Sequence, residues 1–77
     1  MAGEYVGLKY GGHPIWKFGN TYYYLATKHT TRGNAQKADK RDPCHKIQHI
    51  GVWYGRFNRV PQSRVKEIQA SIGKRGR

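Results

Sequence analysis

The stretch HPIWKFGNTYYYLATKH, residues 13–29, constrains the chain more than any other. Two strand-favouring runs flank Gly19-Asn20, a pair that suits a two-residue type II′ turn with Gly at its first central position. That turn sets Phe18 opposite Thr21, Lys17 opposite Tyr22, Trp16 opposite Tyr23 and Ile15 opposite Tyr24. Side chains alternate across a strand, so Trp16, Phe18, Tyr23 and Leu25 share one face. The other face carries Ile15, Lys17, Tyr22, Tyr24, Ala26 and Lys28. The first set reads as a core; the second reads as a wet, cationic, aromatic platform.

The flanking segments set the rest of the architecture. Residues 4–10 alternate, with Val6, Leu8 and Tyr10 on one side, and form a first strand that Gly11-Gly12 ends. From His29 to Cys44 every large apolar residue is missing, which predicts a long basic loop over 29–45. Strand composition returns over 46–60, with Gln48, Ile50, Val52 and Tyr54 on the core side. His49, Gly51, Trp53 and Gly55 fall opposite, Gly55 as a bulge or turn. After Pro61, the spacing of Val65, Ile68 and Ile72 predicts a helix that Ser63 can cap and Gly73 stops, leaving a basic tail over 73–77. The expected fold is α+β: one domain with a folded core over 4–72, in which an antiparallel sheet of three or four strands packs against one carboxy-terminal helix. A small closed barrel capped by the helix is the alternative.

Charge narrows the function. Fifteen Lys and Arg against four Asp and Glu give a net charge of +11. Such an excess repels itself unless a polyanion neutralises it. An aromatic fraction of 13% is too high for a merely disordered basic tail. Cys44 is the only cysteine, so no disulfide framework is available. No apolar run has membrane-spanning length, and the first residues, MAGEYVGLKY, lack the plan of a secretion signal. The expected compartment is the cytoplasm.

The candidate contacts fall into three groups. On the platform, Tyr22 and Tyr24 offer rings for stacking and Lys17 and Lys28 offer charge to phosphates. In the loop and just after it, Arg32, Lys37, Lys40, Arg41 and Lys46 form a cationic arm. At the strand-to-helix junction stand Arg56, Arg59, Arg64 and Lys66, where arginine forks suit phosphate. No metal or other cofactor is expected: Cys44, His45 and His49, with His29 or His13, match no zinc-finger spacing. No catalytic residue is assigned either. A basic ribonuclease toxin using His29, His45, His49 and Tyr54 is an alternative. A membrane-active peptide is disfavoured, because its helix would be too short and too narrowly apolar.

Taken together, YYYLATK, the cationic loop, and HIGVWYGRF followed by PQSRVKEIQASIG resemble a known group. They are similar to the three-stranded-sheet DNA-binding domains of phage and transposon integrases and of plant APETALA-type transcription factors. The resemblance covers residues 13–73 and implies a sheet that enters the major groove with a helix behind it. It implies that Lys17, Tyr22, Tyr24 and Lys28 lie on the reading face, joined by Trp53, Arg56 and Arg59. The resulting expectation is a non-enzymatic nucleic-acid-binding protein, DNA favoured over RNA, with neither a small-molecule substrate nor a membrane partner. A phage or mobile-element accessory factor fits. The alternatives are a ribonucleoprotein component and an inhibitor that binds an acidic protein surface.

Overall fold

The computed structural model describes residues 3–75. Strands β1 (Glu4–Tyr10), β2 (His13–Phe18) and β3 (Thr21–His29) lead into helix α1 (Arg32–Arg41). Strands β4 (Lys46–Ile50) and β5 (Trp53–Arg59) and helix α2 (Gln62–Arg75) complete the chain. All five strands pair antiparallel in the order β1-β2-β3-β5-β4. The fold is therefore α+β, with more strands than expected and a second helix. Its sheet is open, with β1 and β4 as edges, rather than a closed barrel. Among the described residues no helix is long and apolar enough to cross a membrane.

The first hairpin has the register its sequence dictates, with all four predicted pairings from Ile15↔Tyr24 to Phe18↔Thr21. Gly19 sits at φ 62° as the turn requires. A second tight turn, missed by strand periodicity alone, divides residues 46–60. Gly51, at φ 57°, reverses the chain so that Ile50 pairs with Trp53. Val52, expected on the core side, stands at that turn and is 78% exposed.

The expected loop over 29–45 contains α1. Thr31 caps it by accepting a hydrogen bond from the Asn34 N–H at 3.1 Å. At the other end the Asp42 N–H donates to the Ala38 carbonyl, and Lys40 and Arg41 face the negative end of the dipole. The buried side of α1 is made of Ala35 and Ala38, so no large apolar residue marks its period. At the other terminus, α2 starts at Gln62, which places Ser63 inside the first turn instead of before it. The helix also runs through Gly73 to Arg75, so Lys74 and Arg75 belong to its last turn. Arg77 lies outside the described residues.

Both helices lie on one face of the sheet. Ile68 of α2 packs with Ile15, Tyr22 and Val60, and Val6, Leu8, Tyr10 and Tyr24 join from the strands. Arg56, on that same covered face of β5, meets Asp39 and Asp42 at α1. The opposite face has its own cluster of Leu25, Ile50 and Phe57, flanked by Trp16, Phe18 and Tyr23. No helix of the described residues packs over this second, open face.

Gly55 is neither bulge nor turn. It lies in the middle of β5, paired with Lys28 and Gln48. A Cβ there would come within 2.7 Å of Leu25 Cδ1 and 2.8 Å of Phe57 Cε2 on the open face. Glycine is what lets these two side chains close over the strand. Gly55→Ala is expected to overpack the cluster and destabilise the domain by about 1–3 kcal/mol, read as a lowered urea midpoint. An unchanged midpoint would show that Leu25 and Phe57 can move aside freely.

Candidate nucleic-acid interface

The covered face does not hold the platform expected of it. Tyr22 is only 6% exposed and lies in the core beneath α2. Tyr24 is half-buried against the same cluster, its ring 5.0 Å from Tyr10 and 5.7 Å from His13. Strand β1 and helix α2 are the reason: together they cover the side of the hairpin that looked free. Lys17 remains on that side, with Nζ 5.9 Å from the Tyr22 ring.

Lys28 leaves this group altogether. Leu25 pairs with Phe57 but Thr27 pairs with Arg56, so Ala26 is an extra residue in β3. The bulge reverses the alternation beyond it. Lys28 therefore joins Leu25 on the open face, where its Nζ lies 5.3 Å from the Trp53 ring. Simple period-two counting across residue 26 put it on the wrong side.

The open face gathers what the hairpin analysis had assigned to a core. Successive pairings line up Tyr5, Trp16, Tyr23 and Arg59 in one row across β1, β2, β3 and β5. The Tyr5 and Trp16 rings are 5.7 Å apart. Phe18 packs edge-on against Tyr23 and Phe57. Lys46 reaches over this cluster, with Nζ 4.5 Å from the Phe18 ring and 5.1 Å from the Tyr23 ring. Tyr5 and Trp53 remain 53% and 39% exposed. Thus Lys28, Lys46, Trp53 and Arg59, four of the residues singled out from sequence, come together here. Tyr5, Trp16 and Tyr23 were missed as surface groups, because period-two alternation does not say which face of the hairpin the helices cover.

Arg56 is not free to meet a phosphate. It is 3% exposed, and its guanidinium Nη2 lies 3.9 Å from both the Asp39 and Asp42 carboxylates. Its role is to tie α1 to the sheet. Asp39 also accepts from the Cys44 N–H. The hydrogen bonds from Cys44, with help from the Arg56 charge, hold the Asp39 carboxyl below its ordinary value of 3.8. Burial, followed by the hydrogen bond to Asp39, pushes the Cys44 thiol above its ordinary 9.0. The Cys44 Sγ also lies 3.3 Å from the Lys46 carbonyl oxygen.

The other predicted cations are spread out. Arg32, Lys37, Lys40 and Arg41 are exposed along α1, on the covered side of the sheet. Arg64 is exposed on α2 and pairs with Glu67 at 3.4 Å. His49 and Tyr54 have rings 4.9 Å apart on the covered face, and His29 pairs with Tyr54. His45 instead lies beside Tyr23. Among the described residues no three His, Cys, Asp or Glu side chains gather as a metal set. The geometry defines a small α+β domain with one helix-covered face and one basic, aromatic face. Comparison with family models, curated proteins and solved structures finds no match to the chain.

Two outcomes test this placement. Tyr22→Ala is expected to cost about 3–5 kcal/mol, as for other large aromatic truncations, and to unfold so small a domain. Tyr5→Ala leaves the circular dichroism melt nearly unchanged. The Asp39 carboxylate, lowered in the folded state, contributes stability that is fully present above its unfolded pKa and is lost as pH falls through the folded one. Asp39→Asn should accordingly lower the melting temperature at pH 7 and flatten the acid limb below about pH 4. A wild-type acid limb in the variant would show that Asp39 is not part of the tether.

Proposed function

We propose that this protein binds nucleic acid through the open face of its sheet, without catalysing a reaction on it. One observation carries the reading: the row Tyr5–Trp16–Tyr23–Arg59, flanked by Lys28 and Lys46, lies on a sheet face that no helix of the described residues covers. Aromatic rings interleaved with cations suit a polyanion whose bases can stack. The net charge of +11 supplies the long-range attraction. The expected preference for a DNA major groove came from the ribbon-and-helix plan, with Lys17, Tyr22, Tyr24 and Lys28 on the reading face. With Tyr22 beneath α2 and Tyr24 half-buried beside it, the proposal is for nucleic acid as a class.

A ribonuclease-type reading keeps one supporting observation, the neighbouring His29, Tyr54 and His49 on the opposite face. Cleavage of total RNA that disappears in His49→Ala would favour it over binding alone. RNA that stays intact leaves the binding reading in place.

Salt dependence provides the main test. Binding to oligonucleotides should weaken steeply with salt, each phosphate contact adding roughly 0.7–0.9 to the slope of log K against log salt. The triple variant Lys28→Ala, Lys46→Ala, Arg59→Ala should reduce that slope by about 2, whereas Arg32→Ala with Lys37→Ala leaves it unchanged. Equal weak binding to nucleic acid and heparin in both variants would overturn the proposal and leave only a cation, such as one that docks on an acidic protein.

A further inference from the structure

The open face contains a groove of about 310 Å³ lined by Tyr5, Pro14, Trp16, Leu25, Lys28, Ile50, Gly51 and Trp53. Its two sides come from opposite ends of the sheet. Tyr5 belongs to edge strand β1 and Ile50 to edge strand β4, four strand positions away. In a flat sheet those strands would lie roughly 19 Å apart, so one groove can touch both only if the sheet curls toward its open face. Register shifts in β1 and β3 supply that curvature. The groove is the trough of the curl.

We infer that this groove takes an unpaired nucleobase, so that the ligand of the open face is single-stranded. The inference rests on the nucleic-acid reading above and adds the class of ligand. Tyr5 and Trp16 line one side and Trp53 the other, so a flat ring entering the groove meets aromatic side chains on both sides. Lys28 lies at the Trp53 end, where a phosphate attached to the stacked base would find a cation. The Trp16 indole N–H is shielded from water and has no hydrogen-bond partner. A base acceptor that reached it would remove the cost of leaving that donor unmade. A paired base in a duplex presents only its edge and cannot enter between the walls. The volume is near the lower end of small-ligand clefts, roughly 300–1,000 Å³, which fits a base and not a stack of pairs. A larger cleft of about 600 Å³ between β1 and α2 lacks this plan, since Arg64 and Glu67 line it with opposite charges.

The two tryptophans of the chain, Trp16 and Trp53, both line the groove, so intrinsic tryptophan fluorescence reports on it directly. The experiment titrates the full chain at about 0.15 M salt with oligo-dU, oligo-rU, a duplex of equal length and an abasic strand with the same phosphates. Both base-bearing single strands, or one of them, should quench the fluorescence and bind tighter than the duplex and the abasic strand. The stronger of the two identifies the sugar preferred. Trp53→Ala should weaken single-strand binding roughly 5- to 150-fold, the range for loss of one stacked base, while leaving abasic binding unchanged. Trp53→Phe, which keeps a ring and the fold, should restore most of it. Abasic or duplex binding as tight as the single strand would overturn the base site while leaving a nucleic-acid protein. Absence of salt-dependent binding to all four ligands would overturn both.

Discussion

A sheet has two faces, and the helices of the described residues cover only one. Everything exposed on the other face follows from that asymmetry. The helix-covered side can be built from aliphatic residues and Tyr22, because α2 brings Val65, Ile68 and Ile72 to meet them. On the open side the sheet must cover itself. Phe57 is fully buried without any helix above it, shielded by Trp16 and Phe18, whose rings lie 6.0 and 5.0 Å away. Large rings at the margins and a curl of the strands achieve what a third layer would otherwise do. The rings that shield Phe57 are half-buried themselves, and Tyr5 and Trp53 at the margins meet solvent.

The second helix depends on a different force. α1 offers the sheet two alanines, far too little apolar area for a stable helix of ten residues to dock on burial alone. Arg56 supplies what is missing. Its buried guanidinium draws in Asp39 and Asp42, and Asp39 in turn fixes the chain leaving the helix through Cys44. A charge held this far from water is costly unless it is paired, so the pairing is required by the fold as much as it supports it. Two of the chain's four carboxylates are used in this one contact, which leaves the remaining cations with few internal partners.

What was legible in the sequence was local. The first hairpin, its turn type and its four pairings follow from Gly19-Asn20 and from period-two alternation. β1 and the apolar stripe of α2 follow in the same way. What was not legible is which face of that hairpin the helix covers, because alternation names two faces without saying which is inside. Trp16, Phe18 and Tyr23 are as apolar as any core set, and nothing local distinguishes them from Ile15 and Tyr22. The extra residue Ala26 then exchanges the faces partway along β3, carrying Lys28 across. α1 escaped detection because its buried side is alanine and its anchor is an ion pair, so hydrophobic periodicity had nothing to register. The contacts expected of Arg56 were misassigned for the same reason: a charged residue in a strongly basic chain looks like a surface group.

The distribution of charge links the site to stability. A domain of 77 residues has a thin margin, and a net charge of +11 works against compaction. Lys28 and Lys46 lie over aromatic rings, an arrangement that uses the ring faces to hold the cations in place. It keeps two positive charges close to the open cluster whether or not an anion is present. A polyanion seated on that face would relieve the repulsion and, where it binds the folded form more tightly than the unfolded chain, raise the apparent stability as well. The same side chains would then serve the fold when the face is empty and the ligand when it is filled. On the proposed reading, that double use accounts for the rings and lysines that surround Leu25, Ile50 and Phe57 on the side no described helix covers.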